Sequence, residues 1–221
     1  MSCSICKRWL VVGLLLLTLP LFAKEKSKVK PVAFYQGMQL GVEFGGVLNH
    51  LVSNNWSTAG TIDLNIRNKL LPTIELGRAH LEQTGETGVL YTTTGNFLKV
   101  GFNKPIIYNA STHDMFYVGL HYGFSSFNYD LRNLSFSGGY WGQPTITSIL
   151  GEHAYAGWFD AVAGVRVKVL GPISLGWSIH YRNVLHISNG DNSVPQYIPG
   201  YGQNVNPYAG INANLYYKLP F

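Results

Sequence analysis

From residue 37 onward the chain alternates apolar and polar residues with a period of two, and this constrains the fold more than any other feature. In the last segment Ile211, Ala213, Leu215, Tyr217, Leu219 and Phe221 oppose Gly210, Asn212, Asn214, Tyr216 and Lys218. The same pattern runs through Met115–Phe124, Trp158–Val169 and Gly171–Arg182. Shorter versions start at Met38, Thr61, Ile74 and Leu98. Successive side chains of a strand point to opposite faces, so each segment is a strand with two unlike faces. About eight strands of this length suit a closed antiparallel up-and-down barrel. The fold class is therefore all-β.

The polar face decides which way such a barrel is turned. It carries Gly41, Gly101, Gly119, Gly164 and Gly176 among its charged residues. In a soluble, lipocalin-like ligand binder the apolar face would be the interior, and these glycines would sit in water without purpose. In a transmembrane barrel the same face lines a narrow lumen, where glycine makes room for larger neighbours. Only 12% of residues are charged, which suits a surface facing something other than water. The loops agree. Long connections are expected at 46–57, 83–95, 128–153 and 186–206, with short ones at 68–69 and 170–172 and a medium one at 104–114 between them. Outer-membrane barrels have short periplasmic turns and longer external loops, so both termini are expected in the periplasm.

The N-terminus reads as a secretory signal peptide over 1–23. Lys7 and Arg8 precede an apolar run from Trp9 to Leu19, with Ala23 at the expected cut. Both cysteines, Cys3 and Cys6, lie in that segment. Residues 24–36 read as a periplasmic tail, and 37–221 as the outer-membrane barrel domain. The formal charge of +5 does not point to nucleic acid: Lys7 and Arg8 carry two of these charges, the 24–30 tail three, and residues 31–221 balance to zero. The expected partners are outer-membrane lipid and lipopolysaccharide, barrel-assembly machinery, and an extracellular or envelope protein.

Several stretches carry a resemblance. They are Tyr91–Gly95 leading into Phe97–Gly101, the run Phe116–Phe124, Tyr197–Tyr201, and the end Tyr217–Phe221. Together they resemble an uncharacterised group of small outer-membrane β-barrel proteins from Bacteroidetes-type Gram-negative bacteria. That resemblance implies a barrel in the outer membrane of a Gram-negative cell, and brings no activity or catalytic residues with it. The terminal Tyr217, Leu219 and Phe221 look like the signal by which barrel-assembly machinery selects its clients.

Three sets of residues are candidates for function. Glu43, Asp63, Arg67, Glu75, Lys99, His121, Asp160, Arg166, His180 and Arg182 are expected to meet in the lumen. A barrel this small has room only for side chains, so opposite charges must pair there; a structural plug and an ion path are the two readings. Tyr129, Phe136, Tyr140 and Trp141 lie among small polar residues in 128–153, a composition suited to surface contacts. Third, His186-Ile187-Ser188-Asn189 resembles the His-x-Ser-Asn of lipid A deacylases, in which His would be the base and Ser the nucleophile. Parity puts His186 and Ser188 on the lumen face, the wrong side for a lipid substrate, unless a bulge intervenes. No metal site, cofactor motif or phosphate loop is expected. The leading expectation is a non-enzymatic barrel that makes surface contacts through its external loops. A deacylase, an accessory barrel of a secretion system and a lipocalin-like binder are the alternatives.

Overall fold

The computed structural model describes residues 34–44, 46, 55–85, 87–109, 114–136, 145–190 and 193–220. Among the described residues there are ten strands: β1 Tyr35–Glu43, β2 Trp56–Ile66, β3 Leu71–Thr84, β4 Leu90–Tyr108, β5 Met115–Phe136, β6 Thr145–Leu170, β7 Ile173–Ile187, β8 Tyr197–Ile198, β9 Gly202–Gln203 and β10 Tyr208–Lys218. Eight of them form a closed ring in the order β1-β10-β7-β6-β5-β4-β3-β2, with β8 and β9 as a separate two-stranded hairpin. Every neighbouring pair in the ring is antiparallel, and each ring strand pairs with the next one in the chain. The ring closes where Gln39 faces Lys218 and Glu43 faces Asn214. Closure leaves the ring without an end strand.

The alternating faces fall as the sequence pattern requires. Gln39, Asp63, Glu75, Lys99, His121, Asp160, Arg166 and His180 are buried inside, while Leu40, Ile62, Ile74, Val100, Tyr122 and Phe159 are exposed outside. The glycines of the polar face sit under large side chains. A Cβ at Gly41 or Gly176 would lie 2.7 Å from the Tyr216 ring, and one at Gly164 2.5 Å from Tyr117. The lumen is thus packed, with bulky residues on one strand fitted over bare backbone on another.

Strand lengths differ from the expectation. The described parts of the segment 128–153 are strand and not loop: β5 runs 22 residues and β6 26, and they stay paired out to Phe136 and Thr145. Likewise β3 and β4 reach Thr84 and Leu90, leaving only a short link where 83–95 was expected to be open. β1 starts at Tyr35, inside the stretch read as tail. The physical reason is an inversion of polarity partway up the wall. In β5 the outward Phe116, Val118, Leu120, Tyr122 and Phe124 give way to Ser126, Asn128, Asp130 and Arg132. The inward residues change in the opposite sense, from Gly119, His121 and Ser125 to Phe127, Tyr129 and Leu131. The strand continues unbroken, but its upper part has an apolar core and a polar surface.

Candidate functional site: the filled and capped lumen

Most of the lumen charges are brought together in pairs, Glu43 having no ion pair among the described residues. Near the short-turn end Arg166 Nη2 donates to Asp63 Oδ2 at 2.6 Å and Nη1 to Gln39 Oε1. Its guanidinium stacks 3.5 Å from the Tyr216 ring centroid, with Tyr117 at 5.7 Å. Thr73 Oγ1 donates to Asp63 Oδ1 at 2.7 Å, Asn103 Nδ2 donates to Thr73 at 3.0 Å, and His121 meets Asn103 Oδ1 at 3.1 Å. Beside this, Lys99 Nζ donates to Glu75 Oε1 at 2.8 Å. Asp160 holds His180 at 2.9 Å and Arg182 Nε at 3.5 Å. These cations and carboxylates arrive from five different strands, β2, β3, β4, β6 and β7, so only closure of the ring makes the network.

One part of the network has the layout of a hydrolytic triad. Ser178 Oγ lies 2.9 Å from His180 Nε2, and His180 Nδ1 lies 2.9 Å from Asp160 Oδ2. Nucleophile, base and orienting acid are in hydrogen-bond order. The space beside Ser178 and His180 is only about 20 Å³, no larger than a water site. No substrate fits there. Chemically the group can hold or pass a proton, and structurally it satisfies three buried polar side chains.

The mouth is closed from above by the β7–β10 connection, which folds inward. Ile198 and Tyr201 are fully buried. Arg182 Nη1 donates to the Tyr201 carbonyl at 2.6 Å, and the Tyr201 ring meets Trp158 edge-on at 5.7 Å. Gly200, at φ +78°, lies against the Phe97 ring, where no side chain would fit. Two inward tyrosines tie the strap down. Tyr129 Oη donates to the Ser193 carbonyl at 2.7 Å and accepts from Gly190 N at 3.2 Å, while Tyr91 Oη accepts from Tyr197 N at 3.3 Å. Burial pushes the Tyr197 phenol up to about 12, so it is neutral at physiological pH. Between cap and charges lies a cavity of about 250 Å³ lined by Glu43, Lys99, Arg182 and Tyr208.

Several expected placements change. Arg67 is not in the lumen: it sits in the β2–β3 turn with φ 52°, and its guanidinium lies 5.4 Å from the Phe34 ring centroid. Tyr129 is not a surface contact but a buried anchor for the strap. Phe136 is exposed on the β5 arm, and Tyr140 and Trp141 fall outside the described residues. Leu219 bonds back to the Met38 carbonyl, Tyr217 faces outward, and Phe221 is outside the described residues. His186 does not continue the lumen face. A register shift pairs Gly157 with His186 but Trp158 with Val184, and the bulge at Leu185 turns His186 outward against Tyr155, with ring centroids 5.3 Å apart. Ser188 Oγ accepts from Tyr155 N at 2.8 Å and donates to its carbonyl, so it replaces a ladder partner. Asp191, the nearest acid in sequence, is outside the described residues.

Sequence reasoning missed Trp158, Tyr201, Phe97 and Tyr91 as mouth-closing residues. The signal was present: each of the strand residues among them stands on an inward parity position above the last lumen charge of its strand.

The fold and its filled interior define a class: a closed, eight-stranded, antiparallel up-and-down barrel with a paired polar lumen and an inserted cap. A family model for a domain of unknown function, DUF6048, matches residues 5–221, and the chain belongs to that family. No curated protein matches it.

Proposed function

We propose that the chain is an outer-membrane β-barrel, with both termini periplasmic and the β5–β6 hairpin outside the cell, serving as a non-enzymatic scaffold and surface-contact protein. One observation carries the reading: the polarity of the outer wall changes between two adjacent rows of paired residues. Val42, Gly60, Leu76, Leu98 and Phe124 are cross-strand partners and form an outward apolar row. Two residues further up, Thr58, Arg78, Asn96 and Ser126 form the next outward row, and every one is a hydrogen-bonding residue. A step shared by four strands is what a lipid–headgroup boundary would select. Below it, outward Phe116 to Phe124 span about 26 Å along the strand, or about 20 Å once tilted by 35–45°, close to the roughly 25 Å apolar band of such barrels. A soluble binder would have the opposite arrangement.

The paired charges and the cap favour a plug over a channel. Contact then falls to the hairpin arms, where Phe136, Ile146 and Leu150 are exposed above the band. The test is fractionation followed by gel mobility with and without boiling. Outer-membrane protein with two mobilities is expected; a soluble periplasmic protein with one mobility would overturn the reading.

A second reading, lipid A deacylation, gains from the Leu185 bulge, which puts His186 on the lipid side. It predicts lipid A shortened by one acyl chain in cells expressing the protein, lost in Ser188→Ala. Unchanged lipid A mass spectra would dismiss it.

A further inference from the structure

The geometry points to a binding site on the outer wall for one phosphorylated glycolipid of the lipid A type, its phosphate on Arg78 and an acyl chain over Gly60. This rests on the membrane orientation proposed above and assigns a ligand to one patch of the wall. The apolar row has a gap in it. Gly60 stands between Val42 and Leu76, its position is exposed, and a Cβ there would meet nothing within 4 Å. The result is a largely apolar hollow of about 590 Å³, with Val42, Gly60 and Leu76 on its walls and Arg78 and Asn96 at its upper end.

Arg78 and Asn96 are also the lower edge of a second hollow, of about 420 Å³. That one is lined by Thr94, Ser126, Asn128 and His153. The two hollows therefore share one cation and one amide at their common edge, with apolar walls on the lipid side and hydrogen-bonding walls on the headgroup side. Arg78 is exposed and has no carboxylate at ion-pair distance among the described residues. An unpaired guanidinium at this height complements a phosphate and can hold it through two parallel N–H donors. The upper hollow offers amide, hydroxyl and imidazole groups and no further Lys or Arg: Ser126 Oγ and His153 Nε2 already lie 3.1 Å apart, a pair that can bridge a sugar hydroxyl. One phosphate beside a hydroxyl-rich ring, with hydrocarbon below, is the chemistry of a phosphorylated saccharolipid.

The test uses the full chain folded into detergent, with folding verified first by the cold and boiled mobilities. Bis-phosphorylated lipid A, its dephosphorylated form and phosphatidylglycerol are each added, and bound lipid is counted by native mass spectrometry. Saturable binding of one lipid A is expected, with the dephosphorylated form and phosphatidylglycerol each weaker by about tenfold or more. Arg78→Ala should weaken lipid A to a similar degree, and Gly60→Leu should weaken it by filling the notch without a clash. Lys104→Ala, an exposed cation at the opposite end of β4, should leave it unchanged. Equal binding of phosphatidylglycerol, or lipid A binding unaffected by both Arg78→Ala and Gly60→Leu, would overturn the site while leaving the barrel reading intact. A chain with a single mobility would overturn both.

Discussion

Replacing Asp63 by Ala tests whether the lumen is a dry, paired interior. Asp63 and Arg166 each have only 1% of their side chain exposed, and they meet at 2.6 Å. Removing the carboxylate leaves a guanidinium buried without its counter-charge. Breaking a buried pair this way costs about 3–5 kcal/mol. Two contacts soften the loss: Gln39 still accepts from Arg166, and the Tyr216 ring still lies 3.5 Å beneath it. Thr73 Oγ1 loses one acceptor but keeps the Leu71 carbonyl at 3.1 Å. The cost should therefore sit at the low end, about 3 kcal/mol, or roughly a hundredfold in the folding equilibrium. Urea titration of the folded barrel in detergent, followed by tryptophan fluorescence and by cold mobility, measures it. The double variant Asp63→Leu, Arg166→Met removes both charges and should cost less than Asp63→Ala alone. If Asp63→Ala shifts stability by under about 1 kcal/mol, water reaches Arg166 and the packed-lumen argument fails.

Gly176→Val should cost about 1–3 kcal/mol by driving a side chain into the Tyr216 ring, measured by the same titration; a neutral effect would mean that the ring is free to move. Tyr129→Phe should raise amide exchange across residues 188–196 while the stability of the ring in urea falls by less than about 2 kcal/mol, because among the described residues its hydroxyl bonds only the strap. Order in the strap should be constant below pH 10 and decline between pH 10 and about 12: the folded Tyr197 phenol is raised, so its stabilisation is complete below the unfolded pKa and lost as pH climbs through the folded one. Amide exchange at Gln196, Tyr197 and Ile198 at stepped pH would read this, and loss of order below pH 9 would contradict it. Deleting residues 135–146 removes, among the described pairs of β5 and β6, only Ser135–Ile146 and Phe136–Thr145, so two gel mobilities should persist while surface contacts are lost.

The sequence by itself determined the strand faces. Period two is a property of the extended backbone, so the outward position of Leu40, Ile74 and Val100 and the inward position of Asp63, Lys99 and Asp160 follow from parity alone. The need for glycine beneath large lumen residues was legible for the same reason. Three things depended on tertiary structure. Parity survives only while register does, so one bulged residue at Leu185 was enough to move His186 from the lumen to the outer wall. Strand ends were hidden because the alternation inverts rather than stops: above Phe124 the outward residues turn polar, and a continuing strand then resembles a loop. Partner choice was hidden as well. Arg166 is 103 residues from Asp63 and 127 from Gln39, and Tyr129 is 64 from the strap it secures. No local rule relates such positions, because they become neighbours only when β1 and β10 close the ring and the last long connection folds down into it.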